Sequence, residues 1–167
     1  VFMSEQAKMI EQYMALAIQP ILRGAHQRAD IMRNIDHISE LCYAAIWLSN
    51  IDLPVRLIAI PEGALQGFTD EIFDWDHEYY VDHMAIDIPG EETQALGKLA
   101  KEFNTYIIAQ AKARHPKIEK RFFNTAFVID PTGNVVHTHY KMQVFAREHS
   151  TVPHDIWDQW TELYGTG

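Results

Sequence analysis

Two residues stand out for where they fall along the chain. Glu62 directly follows the apolar run Leu57-Ile58-Ala59-Ile60 and Pro61. The carboxyl ends of strands in α/β proteins are where ligands and catalytic groups collect, and a carboxylate half withdrawn from water there can serve as a general base. Lys141 holds the equivalent place after the apolar and β-branched stretch 135–140. An ammonium group fixed at a strand end stabilises the oxyanion of a tetrahedral intermediate, provided that water is excluded. Glu148, seven residues on, can keep Lys141 charged or orient a substrate amide. Taken singly, each has a plainer reading: a solvated loop acid, a solvated lysine and a surface acid.

Other reactive side chains carry less. Cys42 is the single cysteine. It lies on an apolar helical stripe with Ile35, Ile38 and Ala45, the usual setting of an inert buried thiol. His137 and His139 alternate along a strand and face the same way, which would suit two metal ligands, but no third ligand stands at a recognisable spacing. In a chain with nine histidines the pair reads as coincidence. Ile156, Trp157 and Trp160 read as core or interface packing. The acidic run from Asp70 to Glu78 reads as a solvated loop face.

The elements that must position Glu62 and Lys141 follow from periodicity. After a polar lead-in over residues 1–11, residues 13–19 form an apolar run closed by Pro20, the profile of a buried strand. Asp30 can cap a helix over residues 31–49, whose stripe of Ile31, Ile35, Ile38, Cys42 and Ala45 recurs every three or four residues. Residues 55–60 form a second buried strand, stopped by Pro61. Residues 63–90, rich in acids and aromatics, read as a long irregular excursion with one helical turn. A helix over residues 91–104 buries Leu96, Leu99, Ala100 and Phe103, and a third strand covers residues 106–109. Residues 115–120 read as a basic, exposed link. Residues 122–129 and 135–140 then flank Asp130-Pro131-Thr132-Gly133-Asn134, which is turn chemistry, so the pair reads as a β-hairpin. Strand, helix, strand, helix, strand, hairpin is an α/β order, with no repeat or linker to divide residues 1–167 into more than one domain. Strand ends on one rim predict that the Glu62 carboxylate and the Lys141 ammonium share a pocket.

Composition narrows the function classes. With 167 residues, 47% of them hydrophobic, the chain has the material for a sizeable core. A formal net charge of −9 and the lack of any Lys/Arg cluster argue against nucleic acid or anionic membranes as partners. No apolar run is long enough to span a bilayer, so the expectation is a soluble cytoplasmic protein.

Together the motifs resemble the nitrilase superfamily of carbon–nitrogen hydrolases. Gln19-Pro20 resembles the end of that family's first strand, and Leu57-Ile58-Ala59-Ile60-Pro61-Glu62 its first catalytic segment. Asn124-Thr125-Ala126-Phe127-Val128-Ile129-Asp130-Pro131-Thr132-Gly133, followed by His139-Tyr140-Lys141, resembles its second. Tyr140 stands where arginine is usual. Leu65-Gln66-Gly67 and Ile88-Pro89-Gly90-Glu91-Glu92-Thr93 are most similar to the aliphatic amidase and formamidase branch, whereas the spacing from Lys141 to Glu148 is more like that of nitrilases.

The resemblance implies a four-layer α-β-β-α sandwich, of which this chain supplies an N-terminal portion. It also implies hydrolysis of a small amide or nitrile by a Glu–Lys–Cys set without cofactor or metal, in a homo-oligomer. Glu62 would take the thiol proton and Lys141 would stabilise the developing charge. In the family the cysteine lies a few tens of residues beyond the lysine, outside residues 1–167. The C-terminal portion of the same fold is therefore an expected partner. The rival expectation is a non-catalytic interaction or assembly protein that keeps a truncated form of the fold.

Overall fold

In the computed structural model, which describes residues 10–166, the helical stripe read from the sequence packs as expected. Ile31, Ile35, Ile38 and Cys42 of helix α1 (Arg28–Ser49) are fully buried, and Ala45 packs at the margin. The helix starts earlier than a cap at Asp30 would place it. Gln27 is the N-cap, and Asp30 works from inside the first turn, accepting the His26 and Gln27 backbone N–H groups at 2.8 and 3.2 Å. The lead-in expected over residues 1–11 falls almost entirely outside the described residues.

Strands β1 (Met14–Ala17), β2 (Val55–Ala59), β3 (Tyr106–His115), β4 (Ile118–Ile129) and β5 (Val135–Tyr140) form one sheet in sequence order. β1, β2 and β3 are parallel, whereas β3–β4 and β4–β5 are antiparallel. β1 is an edge strand rather than a buried one: Tyr13, Ala15 and Ala17 are exposed while Met14 and Leu16 are half-buried. On one face of the sheet, Ile58, Ile107, Ala109, Phe127 and Ile129 pack with α1 and with Leu96, Leu99 and Ala100 of helix α4 (Glu91–Phe103) in a single core. Asn104, in the left-handed conformation at φ 50°, ends α4. Gly97 of α4 seats directly on the β4–β5 turn, where a Cβ would lie 2.5 Å from the Gly133 carbonyl oxygen.

Three further expectations are corrected. The stretch 63–90 holds two short helices, α2 (Thr69–Ile72) and α3 (His77–His83), and Tyr80 of α3 packs on Phe122 with ring centroids 4.6 Å apart. The supposed link at 115–120 is a tight turn between two long strands, in which His115 and Ile118 are buried. The acidic run is only partly solvated. Asp74 is exposed, but Asp70 is wholly buried and holds the Lys112 ammonium at 2.5 and 2.6 Å, with Glu71 at 2.7 Å from the same group. Beyond Lys141 a 3₁₀ turn (Pro153–Ile156) leads into α5 (Trp157–Tyr164). There Trp160 packs among Tyr140, Phe123 and Tyr164, while Trp157 stays 45% exposed against His154.

Candidate active site

Glu62 lies three residues beyond the end of β2, past Ile60, whose N–H still bonds to the Ile108 carbonyl at 2.8 Å. Lys141 follows β5, and its backbone N–H is tied to the Asn124 carbonyl at 2.9 Å. The loop after it doubles back until Thr151 N–H meets the Phe122 carbonyl at 2.8 Å, which brings Glu148 under the strand ends. All three residues singled out from the sequence converge. Lys141 Nζ donates to Glu62 Oε1 at 3.0 Å and to Glu148 Oε2 at 2.8 Å.

Burial separates the two carboxylates. The Glu148 side chain is 1% exposed against 45% for Glu62 and 34% for Lys141. Burial by itself would raise the Glu148 carboxyl, but hydrogen bonds from Lys141, Ser150 and Asn124 outweigh it and hold the group below the usual carboxylate range. Lys141 is the counterpart. Desolvation pulls its ammonium down, and the bonds to Glu148 and Glu62 more than restore it, so that it lies above the ordinary lysine value. An ammonium group has three hydrogens. Two are committed to the carboxylates, and the third is available to a developing oxyanion.

Two site residues were not picked out as such by sequence reasoning. Asn124, quoted only as part of a motif, donates from Nδ2 to Glu62 Oε1 at 2.6 Å and to Glu148 Oε1 at 2.7 Å. Gln110 donates to Asn124 Oδ1 at 2.7 Å and accepts the Gly63 backbone N–H at 2.9 Å. The strand period puts residues 124, 126 and 128 on one face of β4, but only the pairing of Gln110 on β3 with Ala126 brings the two side chains together. These side chains line an open pocket of about 290 Å³ with Ala126, His139 and Met142. His137 and His139 lie on this same face, paired with Val128 and Ala126. Among the described residues no group of three or more His, Cys, Asp or Glu side chains is arranged to hold a metal ion.

Cys42 is not part of the constellation. It is fully buried in α1, and desolvation pushes its thiol up to about 12.

The fold has known counterparts. The family model for carbon-nitrogen hydrolases matches residues 20–165, and the chain belongs to that family, within the nitrilase superfamily. It is 30% identical over 135 residues to a formamidase of Helicobacter acinonychis (strain Sheeba), covering 80% of this chain and 37% of that protein. Among solved structures, an N-terminal amidase superposes with a TM-score of 0.63 at 15% identity, over 82% of this chain and 30% of that one. Nit3 of Saccharomyces cerevisiae, a member of branch 10 of the nitrilase superfamily, gives 0.59 at 19% identity, over 78% and 45%. These likenesses fix the nitrilase fold. The chain spans less than half the length of each of these relatives. Among the described residues no helix is long and apolar enough to cross a membrane.

Proposed function

We propose that this chain is the N-terminal portion of one carbon–nitrogen hydrolase domain that cleaves a small amide through a Glu–Lys–Cys mechanism. The observation that carries the reading is the convergence of Glu62, Lys141 and Glu148 on Asn124 beside an open pocket. The nucleophilic cysteine belongs to a segment outside residues 1–167, because Cys42 is buried in α1. The formamidase relative favours an amide over a nitrile.

In this reading Glu62 is the general base. Its Oε1 is held by Asn124 and Lys141, and Oε2, with no side-chain partner among the described residues, takes the thiol proton. The thiolate adds to the amide carbon, and the carbonyl oxygen becomes an oxyanion beside the third hydrogen of Lys141. The protonated Glu62 then gives its proton to the departing amine, leaving a thioester. Water, deprotonated by the same carboxylate, attacks the thioester and releases the acid and the free thiol. Glu148 stays ionised throughout and keeps Lys141 an ammonium.

The test is ammonia release from formamide, acetamide and propionamide by the full-length cytoplasmic protein, together with its Glu62→Gln and Lys141→Ala variants. Turnover by the wild type, with loss of at least about a thousandfold in each variant, is the expected result. Undiminished turnover by Glu62→Gln would remove the assignment of the base. Absence of amide turnover in the wild type, with association to another protein through the sheet, would favour an assembly role instead.

A further inference from the structure

An asparagine side chain has two ends of similar shape and opposite polarity, so its neighbours decide which way it points. Asn124 is 4% exposed, and both hydrogens of Nδ2 are committed, one to Glu62 at 2.6 Å and one to Glu148 at 2.7 Å. Turned over, it would set Oδ1 against two carboxylate oxygens, which is repulsive on both sides. The opposite end is held by Gln110, whose Nε2 donates to Asn124 Oδ1 at 2.7 Å.

Gln110 carries the same ambiguity of shape, and a backbone group resolves it. The Gly63 N–H donates to Gln110 Oε1 at 2.9 Å, which leaves the NH₂ end facing Asn124. Gly63 is the residue after Glu62, so the contacts close a ring. It runs from the Glu62 carboxylate through Asn124 and Gln110 to the Gly63 peptide, and back along the chain to Glu62. Every donor in the ring faces an acceptor in one sense only. A peptide N–H cannot reverse its polarity, so the backbone sets the sense of the whole ring.

We propose that Gln110 is a positioning residue of the hydrolytic site, transmitting the fixed polarity of the Gly63 peptide to Asn124. Asn124 then pins one oxygen of Glu62 against Lys141 and leaves the other to take a proton. The proposal rests on the amide-hydrolase reading for its kinetic consequence, but its structural content is independent of that reading. Misplacing a catalytic group by about 1 Å costs on the order of a hundredfold in rate. Loss of the ring should therefore lower kcat by about ten- to a hundredfold and leave KM nearly unchanged.

Two variants of the full-length protein test this. Gln110→Glu keeps the shape and the acceptor for Gly63 but has no donor for Asn124, whereas Gln110→Met removes both ends without adding charge. Both should lower kcat by that factor, with KM within about threefold of the wild type. Rates within about twofold of the wild type in both variants would overturn the proposal. So would a rise in KM at constant kcat, which would make Gln110 a substrate contact. A second measurement needs no turnover: the side-chain NH₂ protons of Asn124, observed by NMR in asparagine-labelled protein, should exchange slowly in the wild type and quickly in Gln110→Met. Fast exchange in the wild type, or unchanged protection in Gln110→Met, would overturn the ring whether or not the protein hydrolyses amides. A wild type that shows the protection but no amide turnover would retain the ring and sink the proposed function.

Discussion

Among the described residues two lysines, Lys112 and Lys141, are each bonded to two carboxylates, and burial should make their replacement very unequal. Lys112, Asp70 and Glu71 have side chains 3%, 1% and 8% exposed, with contacts of 2.5 and 2.7 Å. Replacing Lys112 with Met leaves two acids in a site that water does not reach. Removing one partner of a buried ion pair costs about 3–5 kcal/mol. With a urea m-value of about 2 kcal/mol/M for a small domain, the unfolding midpoint should fall by about 1.5–2.5 M.

Lys141→Met should cost only about 1–2 kcal/mol. Glu62 is 45% exposed and turns to water, and Glu148 keeps its bonds from Asn124 and Ser150. Activity should rank the other way, with Lys141→Met inactive and folded Lys112→Met turning over. Burial already lifts the Glu71 carboxyl above its ordinary value. In Lys112→Met it should rise further, so the folded variant takes up a proton as pH falls and its deficit should narrow toward pH 5. Urea titration of the full-length wild type and both variants at pH 7.5 and pH 5 measures all of this. A Lys112→Met cost below about 1 kcal/mol, or one no larger than that of Lys141→Met, would refute the argument from burial.

Glu148→Gln removes a charge that holds Lys141 above the ordinary lysine value, so the alkaline limb of the pH–rate profile should move to lower pH. Cys42, whose thiol is pushed up from 9.0 to about 12, should resist iodoacetamide at pH 8. Its stabilising contribution should be full below pH 9 and decline between pH 9 and pH 12 by about 1.4 kcal/mol per unit, because only the unfolded thiol ionises there. Comparing unfolding midpoints of wild type and Cys42→Ala across pH 8–10 reads that slope. Residues 1–167 expressed alone should release no ammonia from amides and should self-associate; turnover, or a monomer in analytical ultracentrifugation, would contradict this.

What was legible in the sequence was whatever local pattern determines. The stripe of α1, the run into Pro61-Glu62 and the turn at Asp130–Asn134 are each set by residues a few positions apart. They place Glu62 and Lys141 correctly even though the two lie far apart in sequence. The misreadings share one physical cause. Lys112 and Arg114 made the third strand look finished at residue 109, because the acids that neutralise them, Asp70, Glu71 and Asp87, come from the distant excursion. Read without their partners, the acids looked like a solvated face and the bases like the end of a strand. Gln110 and Asn124 escaped for a related reason, since their roles exist only once the register of β3 on β4 is known.

The same register bears on how the site reaches working conditions. Electrostatic stabilisation by Lys141 weakens with access to water, and at 34% exposure beside a carboxylate at 45% the pair is still well hydrated. The sheet face that carries Gln110, Ala126 and His139 toward this pair also carries Ala15, Ala17, Tyr106 and Ile108, all exposed. The apolar residues on it call for cover in their own right. A single apolar layer laid on that face would therefore bury the sheet and dehydrate Glu62 and Lys141 in the same step. Under the proposed function, that layer is the portion of the fold that brings the cysteine, so the nucleophile and the dry environment it needs would arrive together.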